Sequence, residues 1–118
     1  CRGLVGTGDD VLIGGFILVG QSESRVLVRS LGPSLTSQGL SSMLQDPTLE
    51  LNDANGVVLA NDNWKDTQQA DIEATGLAPS NDLESAVVAS LPPGSYTAVV
   101  RGTNNTTGTA LMEIYLLP

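Results

Sequence analysis

The chain has no histidine, and this absence removes several kinds of chemistry at once. Histidine is the commonest general base near neutral pH, a frequent zinc ligand and the base of a serine triad. A hydrolase built on this chain would depend on paired carboxylates, as glycosidases do. The 13 acidic residues make a chance pair inevitable, and no pair is marked out by its spacing. The sequence therefore predicts a protein that is not an enzyme.

Cysteine, aromatic residues and positive charge are also scarce. Cys1 is the single cysteine, which excludes an internal disulfide and a CxxC metal site. One Phe, one Trp and two Tyr leave the core to aliphatic residues and argue against a sugar-binding cleft. The net charge of −8 repels phosphate backbones and anionic membranes, so nucleic acid is not an expected partner. The longest apolar run, Val11 to Val19, is too short to span a membrane.

Cys1 stands where a methionine would begin an unprocessed chain. Lipoprotein processing leaves such a cysteine with a lipid on its sulfur, but a domain cut from a larger protein can begin in the same way. An unpaired thiol can also link two molecules. Cys1 is therefore a candidate for a lipid anchor or an intermolecular link, and the sequence leaves the readings open.

Period-two alternation and turn residues dominate the 118 residues, which predict one domain spanning 1–118. We expect an all-β fold, a single antiparallel β-sandwich of about seven strands with Greek-key or jelly-roll connections. One short helix is predicted near 66–75, beginning at Asp66 and stopped by Gly76. Thr48 to Ala60 reads as a hairpin, because Asn55-Gly56 supplies the positive φ of a tight turn.

The stretch NDANGVVLANDNW, residues 52–64, holds oxygen-bearing side chains on both sides of an apolar run. Calcium prefers about six to eight oxygens, and carboxylates and amides supply them. Extended chain between the two groups separates them by more than about 13 Å, so they form two sites or none. The alternative is that both groups only form turns. The candidate calcium ligands are Asp62 with Asn61 and Asn63, helped by Asp82 or Glu84, and more weakly Asp53 and Asn55.

The apolar run near the N-terminus predicts an assembly segment. Val11 to Val19 is apolar on both faces, and a strand buried on both faces lies inside a sheet stack, in its own domain or in a neighbour's. Residues 1–20 are therefore a candidate donor segment that completes the sheet of another copy. The residues expected to make this contact are Val11, Leu12, Ile13, Phe16, Ile17, Leu18 and Val19.

Several stretches carry a resemblance to known domains, namely RGLVGTGDDVLIGGFILVG (2–20), RVLVRSLGPSL (25–35) and LELNDANGVVLANDNW (49–64). Together with residues 76–117 they resemble an uncharacterised β-sandwich domain that recurs in large secreted or surface proteins of environmental bacteria. From Leu49 onward the chain has a looser likeness to the bacterial pre-peptidase C-terminal domain. This second likeness implies a non-catalytic β-sandwich appended to secreted enzymes, which sometimes binds calcium.

Two functions follow as hypotheses. The first is an extracellular structural module of a bacterial surface, which associates end to end with other copies as the repeating subunit of a fibre or stalk. The second is an accessory module that binds calcium or a surface glycan and tethers a secreted protein. Apart from calcium, no cofactor is expected.

Overall fold

A computed structural model describes residues 2–6, 11–38, 43–103 and 106–117. Cys1 therefore lies outside the described residues, as do parts of the predicted donor segment 1–20. The strands are β1 (Arg2–Val5), β2 (Leu12–Leu18), β3 (Ser24–Leu31), β4 (Pro47–Asp53), β5 (Gly56–Asn61), β6 (Ser85–Leu91), β7 (Gly94–Gly102) and β8 (Gly108–Leu116). A 3₁₀ helix spans Pro33–Gln38, and helix α1 spans Gln69–Ala74, inside the predicted range.

The strands form two four-stranded antiparallel sheets that face each other. Sheet A has the order β1-β8-β3-β6, and sheet B has the order β2-β7-β4-β5. Except at the β4–β5 hairpin, successive strands alternate between the sheets in the manner of a jelly roll, which confirms the predicted all-β sandwich. The described residues contain eight strands, and β1 is the one that the alternation pattern missed.

The predicted hairpin is present as β4 and β5. Gly56 has a φ of 127°, and the backbone N–H of Asn55 donates to Asp53 Oδ1 over 2.7 Å. Glycine tolerates this conformation, and the Asp side chain replaces a backbone turn bond. The register shifts between Leu51 and Asn52, which places a β-bulge just before the turn.

Aliphatic side chains fill the space between the sheets, with Val28, Leu49 and Val100 among those without exposed surface. A second apolar cluster lies on the outer face of sheet A, where Trp64 and Ile72 pack on Leu27. Helix α1 and the loops around it thus cover one outer face of the sandwich.

In the single chain, the prediction that β2 is buried on both faces is wrong. Half-buried and exposed residues alternate along Leu12–Leu18, because one face of β2 packs on the core and no described element covers the other. β1 and β2 pair with β8 and β7 of the same chain. In the single chain, the described parts of the segment 1–20 therefore belong to its own sheets.

Candidate functional site

The outer edge of β2 is an open strand edge. β2 pairs with β7 on one side, and on the other side the described residues place neither a strand nor a bonding side chain. The strand carries no charge and no proline over seven residues. Natural sheets normally protect such an edge with lysine, proline, a bulge or a covering loop, because an open edge pairs with other chains.

The predicted assembly residues divide between the two faces of this strand. Ile13, Ile17 and Val19 are 57%, 71% and 83% exposed. Leu12, Phe16 and Leu18 face the core and are half-buried, and Val11 precedes the strand and is also half-buried. The strand thus combines an anchored inner face with an apolar outer face.

Two contacts hold β2 in its own domain. The Phe16 ring stacks on Tyr96 with 5.5 Å between ring centroids. Gly14 lies so close to β8 that an added Cβ would come within 2.8 Å of the Met112 sulfur. Glycine at this position lets the two sheets approach at the flank of the sandwich.

The opposite edge of sheet B is open as well. β5 pairs only with β4 among the described residues, and its segment GVVLAN has no charge. Val57 and Val58 are 60% and 42% exposed. Sheet B therefore has an uncharged apolar edge on each side.

The β6 edge of sheet A is closed by side chains instead. The Gln68 side chain donates to the Val88 carbonyl over 2.9 Å and accepts from the Val88 N–H over 2.9 Å. Asn61 Oδ1 accepts from the Ala86 N–H over 3.1 Å. These amides satisfy three of the backbone groups that a neighbouring strand would use, so they block strand pairing along the middle of this edge.

The candidate calcium ligands lie at the two ends of β5. Asp53 and Asn55 form the hairpin turn. Asn61 is buried, and its side-chain N–H groups donate to the Asn63 carbonyl over 2.9 Å and to the Thr67 hydroxyl over 3.0 Å. Together with the bond from the Ala86 N–H to Asn61 Oδ1, these bonds join the loop 61–67 to β6, and all of them are made to protein groups.

Asp62 meets a carboxylate that the sequence did not indicate, Asp46. The side chains of Asp46 and Asp62 lie close together, and the Thr103 hydroxyl donates to Asp62 Oδ1 over 3.2 Å. Burial raises the pKa of Asp46, and the neighbouring charge of Asp62 raises it further. Asp46 Oδ1 and Asn63 Oδ1 are buried without a hydrogen-bond partner among the described residues. The Asp46 and Asp62 carboxyl groups thus have too few hydrogen-bond donors around them and no described cation paired with them.

The two other acids considered for this site lie elsewhere. Asp82 pairs with Lys65 at 3.0 Å. Glu84 is fully buried and accepts from backbone N–H groups of the loop 32–34. Across the residues that the structure describes, no three Asp, Glu, His or Cys side chains gather into a metal-binding group. Asp46, Asp62 and the Thr103 hydroxyl thus supply only part of the roughly six to eight oxygen ligands that calcium prefers.

The strand order of the two sheets defines an eight-stranded jelly-roll module, and known proteins share this fold. The chain is similar to the solved pre-peptidase C-terminal domain of a collagenase from Bacillus anthracis, with a TM-score of 0.58 and 14% sequence identity. The similarity covers 98% of this chain and 86% of that domain, so it extends well beyond the part from Leu49 onward that carries the sequence motifs. No protein-family model and no curated protein matches the chain. None of the helices in the described ranges has the length and apolarity to cross a membrane.

Proposed function

We propose that the chain is a non-catalytic, extracellular structural module of a bacterial surface, which associates with copies of itself through the open edges of sheet B. The observation that carries this proposal is the contrast between edges. β6 is closed by Gln68 and Asn61, whereas the outer edges of β2 and β5 have no strand partner among the described residues and are uncharged and apolar. A sequence that protects one edge and leaves two open favours strand pairing at the open ones.

The position of the two open edges determines the kind of assembly. β2 and β5 lie on opposite sides of sheet B. Each copy can therefore contact two neighbours, and contacts on opposite sides do not close into a pair. Repetition of these contacts builds a fibre or stalk.

Charge restricts where two copies can meet. At a net charge of −8 the copies repel each other over most of their surface. The segments LIGGFIL and GVVLAN have no charged residue, so repulsion is weakest where their edges approach. The extracellular assignment is supported by the fold shared with the pre-peptidase C-terminal domain of a collagenase.

A charge placed on β2 tests the proposal. Ile17→Lys is expected to abolish fibres and leave particles no larger than a pair, because an exposed lysine on an edge strand opposes pairing. Ile17 is 71% exposed, so the substitution leaves the fold intact. Negative-stain microscopy and sedimentation velocity measure the assembly, and circular dichroism checks the fold.

Ser90→Lys is the matched control, since Ser90 is exposed on the closed β6 edge. It is expected to assemble as the wild type does. A wild-type chain that stays monomeric at millimolar concentration, or an Ile17→Lys variant that still forms fibres, would overturn the proposal.

A calcium-binding accessory module is the second candidate, favoured by the Asp46–Asp62 pair. If calcium binds there, it raises the melting temperature of the wild type. A free calcium concentration of one hundred times Kd adds about 2.7 kcal/mol to the free energy of unfolding. Asp62→Asn is expected to remove this shift, whereas Asp71→Asn, on the exposed side of α1, keeps it. A wild-type melting temperature that is the same in calcium and in chelator excludes this candidate. Glycan binding stays a prediction from the sequence.

The same carboxyl pair predicts a pH dependence without metal. The folded pKa of Asp46 lies above its ordinary value of 3.8, so the folded chain holds a proton that the unfolded chain has lost. Stability from this group is thus present at low pH and is lost as pH rises through the raised pKa. Asp46→Asn is expected to raise the melting temperature at pH 7, with a gain that shrinks below pH 3.8. Thermal melts from pH 3 to pH 8 in chelator measure it, and a destabilised variant at pH 7 contradicts it.

A further inference from the structure

The two edge strands of sheet B run in opposite directions. In the order β2-β7-β4-β5 each strand is antiparallel to the next, so β2 and β5 are antiparallel to each other. A second copy that is shifted sideways in the plane of the sheet, without a two-fold rotation, therefore brings its β2 alongside β5 of the first copy in the antiparallel direction. Antiparallel strands pair through hydrogen bonds perpendicular to the strands, so this shift continues the ladder of sheet B from copy to copy.

The side chains of the two edges match on the inner face. Phe16 of β2 and Leu59 of β5 are both half-buried, and both pack at the margin of the core cluster that contains Leu51 and Tyr96. Each therefore has a part that its own chain leaves uncovered. Residues directly opposite each other in an antiparallel pair share a face and contact each other. Phe16 placed opposite Leu59 of the next copy thus covers both margins.

The same register matches the outer face. It places Ile17 opposite Val58, and these side chains are 71% and 42% exposed in the single chain. A shift by two residues in one direction sets the glycine pair 14–15 against Leu59 and Val58, where glycine has no side chain to pack. A shift by two residues in the other direction shortens the ladder, and a shift by one residue puts inner-face side chains on the outer face. The two strands therefore specify one register.

Other pairings of the open edges fit less well. Two antiparallel β2 strands would place the glycine pair 14–15 of each copy in the middle of the ladder, where few side chains would meet. Two antiparallel β5 strands would bring the Asp53 turn of each copy toward Asp62 of the other, because these acids flank opposite ends of the strand. Like charges oppose that contact on a chain of net charge −8. In the β2–β5 pairing the Asp53 turn meets residues 19–22, which carry no charge.

We propose that β2 of one copy pairs antiparallel with β5 of the next, with Phe16 opposite Leu59; this inference rests on the proposed function and specifies its contact. The contact is heterologous, so one kind of interface uses both open edges and repeats without closing. Sheet B then runs through the fibre as one continuous sheet, and its natural twist rotates each copy relative to the last. Sheet A does not continue in this way, because side chains block the middle of its β6 edge.

Complementation between two blocked variants tests this contact. Ile17→Lys places a charge on β2 and leaves β5 intact, and Val58→Lys does the reverse; both side chains are exposed, so the fold is kept. We expect each variant alone to be monomeric at a concentration at which the wild type forms fibres. An equal mixture is expected to form a particle of twice the monomer mass, because the intact β5 of the first variant pairs with the intact β2 of the second. Sedimentation equilibrium measures the masses, and Ser90→Lys is the control that still forms fibres.

The outcomes separate this contact from the proposed function. If Ile17→Lys or Val58→Lys alone forms dimers, the open edges pair like with like, and the inference fails while the proposed function stands. A mixture that stays monomeric under conditions in which the wild type forms fibres has the same meaning, provided that circular dichroism shows both variants folded. A wild type that is monomeric overturns both.

Disulfide trapping tests the register. In a Cys1→Ser background, Ile17→Cys and Val58→Cys chains are mixed and oxidised, and we expect the mixed dimer to exceed both homodimers, because directly opposite residues lie within reach of a disulfide. Ile13→Cys is the matched control, since Ile13 is exposed on the same face of β2 but lies about 13 Å along the strand from Ile17. Its mixed dimer with Val58→Cys is not expected to be enriched. Equal trapping of the two β2 cysteines, or an excess of homodimers, contradicts the inference.

Discussion

Glu84→Ala is expected to unfold the chain or to remove most of its stability. The Glu84 side chain has no exposed surface, and its Oε2 accepts from the Gly32 N–H over 2.7 Å and from the Ser34 N–H over 3.1 Å. The Ser34 hydroxyl donates to the same oxygen over 2.6 Å, and the Asn81 N–H donates to Oε1 over 3.2 Å. Hydrogen bonds to a charged group contribute about 1.5–3 kcal/mol each, and a domain has about 5–15 kcal/mol in all. Alanine also leaves buried N–H groups without an acceptor.

Urea unfolding followed by circular dichroism measures the loss. Glu84→Gln is expected to lie between the wild type and alanine, because one amide oxygen can replace Oε2 while the amide nitrogen cannot accept from Asn81. Glu23→Ala is the control, since Glu23 is an exposed acid in the loop before β3, and its effect is expected to lie within about 0.5 kcal/mol. If Glu84→Ala is as stable as Glu23→Ala, the Glu84 carboxyl does not hold the loop 32–34.

Local patterns in the sequence predicted most of the sandwich. The Asn55-Gly56 turn fixed the β4–β5 hairpin, because a tight turn with positive φ has few alternatives. Alternation located β7, and in β8 the buried residues alternate in the way that period two requires. β1 escaped prediction since it has only four residues, RGLV, and its pairing with Gly108–Leu111 is set by the whole fold.

The error on β2 has a physical reason. A run that is apolar on both faces is typical of a central strand, and LIGGFIL has that pattern. Whether a strand is buried on both faces depends on what packs on the outer face of its sheet, and that is set by contacts between distant segments. The exposure of Ile13 and Ile17 is therefore the difference between a sequence suited to burial and an outer face of sheet B that no described element covers. This difference is what supports the proposed association.

The candidate calcium site was predictable only in part. Asp62 stood out because Asn61 and Asn63 flank it, but the Asn61 side chain is bonded to the Asn63 carbonyl and to the Ala86 N–H. Its partner Asp46 precedes β4 and reaches Asp62 because the Thr103 N–H is bound to the Asp46 carbonyl over 2.9 Å. Such a contact joins three distant segments, and nothing in the spacing of the acids indicates it.

Asn61→Ala is expected to destabilise the fold by about 3–5 kcal/mol, although the sequence marked Asn61 as a calcium ligand. Asn61 is 6% exposed, and its side chain bonds the Asn63 carbonyl, the Thr67 hydroxyl and the Ala86 N–H. Alanine removes all three bonds and leaves the buried Ala86 N–H without an acceptor, which itself costs about 1–3 kcal/mol. The variant also opens part of the β6 edge, so it is expected to aggregate on heating where the wild type refolds.

Calorimetry in calcium and in chelator decides between the structural and the metal-binding role of Asn61. If Asn61 only joins the loop 61–67 to β6, its replacement is expected to cost the same stability in both solutions, because every described partner of its side chain is a protein group. A metal ligand predicts a larger loss in calcium, since only the wild type would gain binding free energy there. Asn55→Ala provides the matched comparison, because Asn55 is an exposed turn residue that was also a candidate ligand, and its replacement is expected to cost less than about 1 kcal/mol.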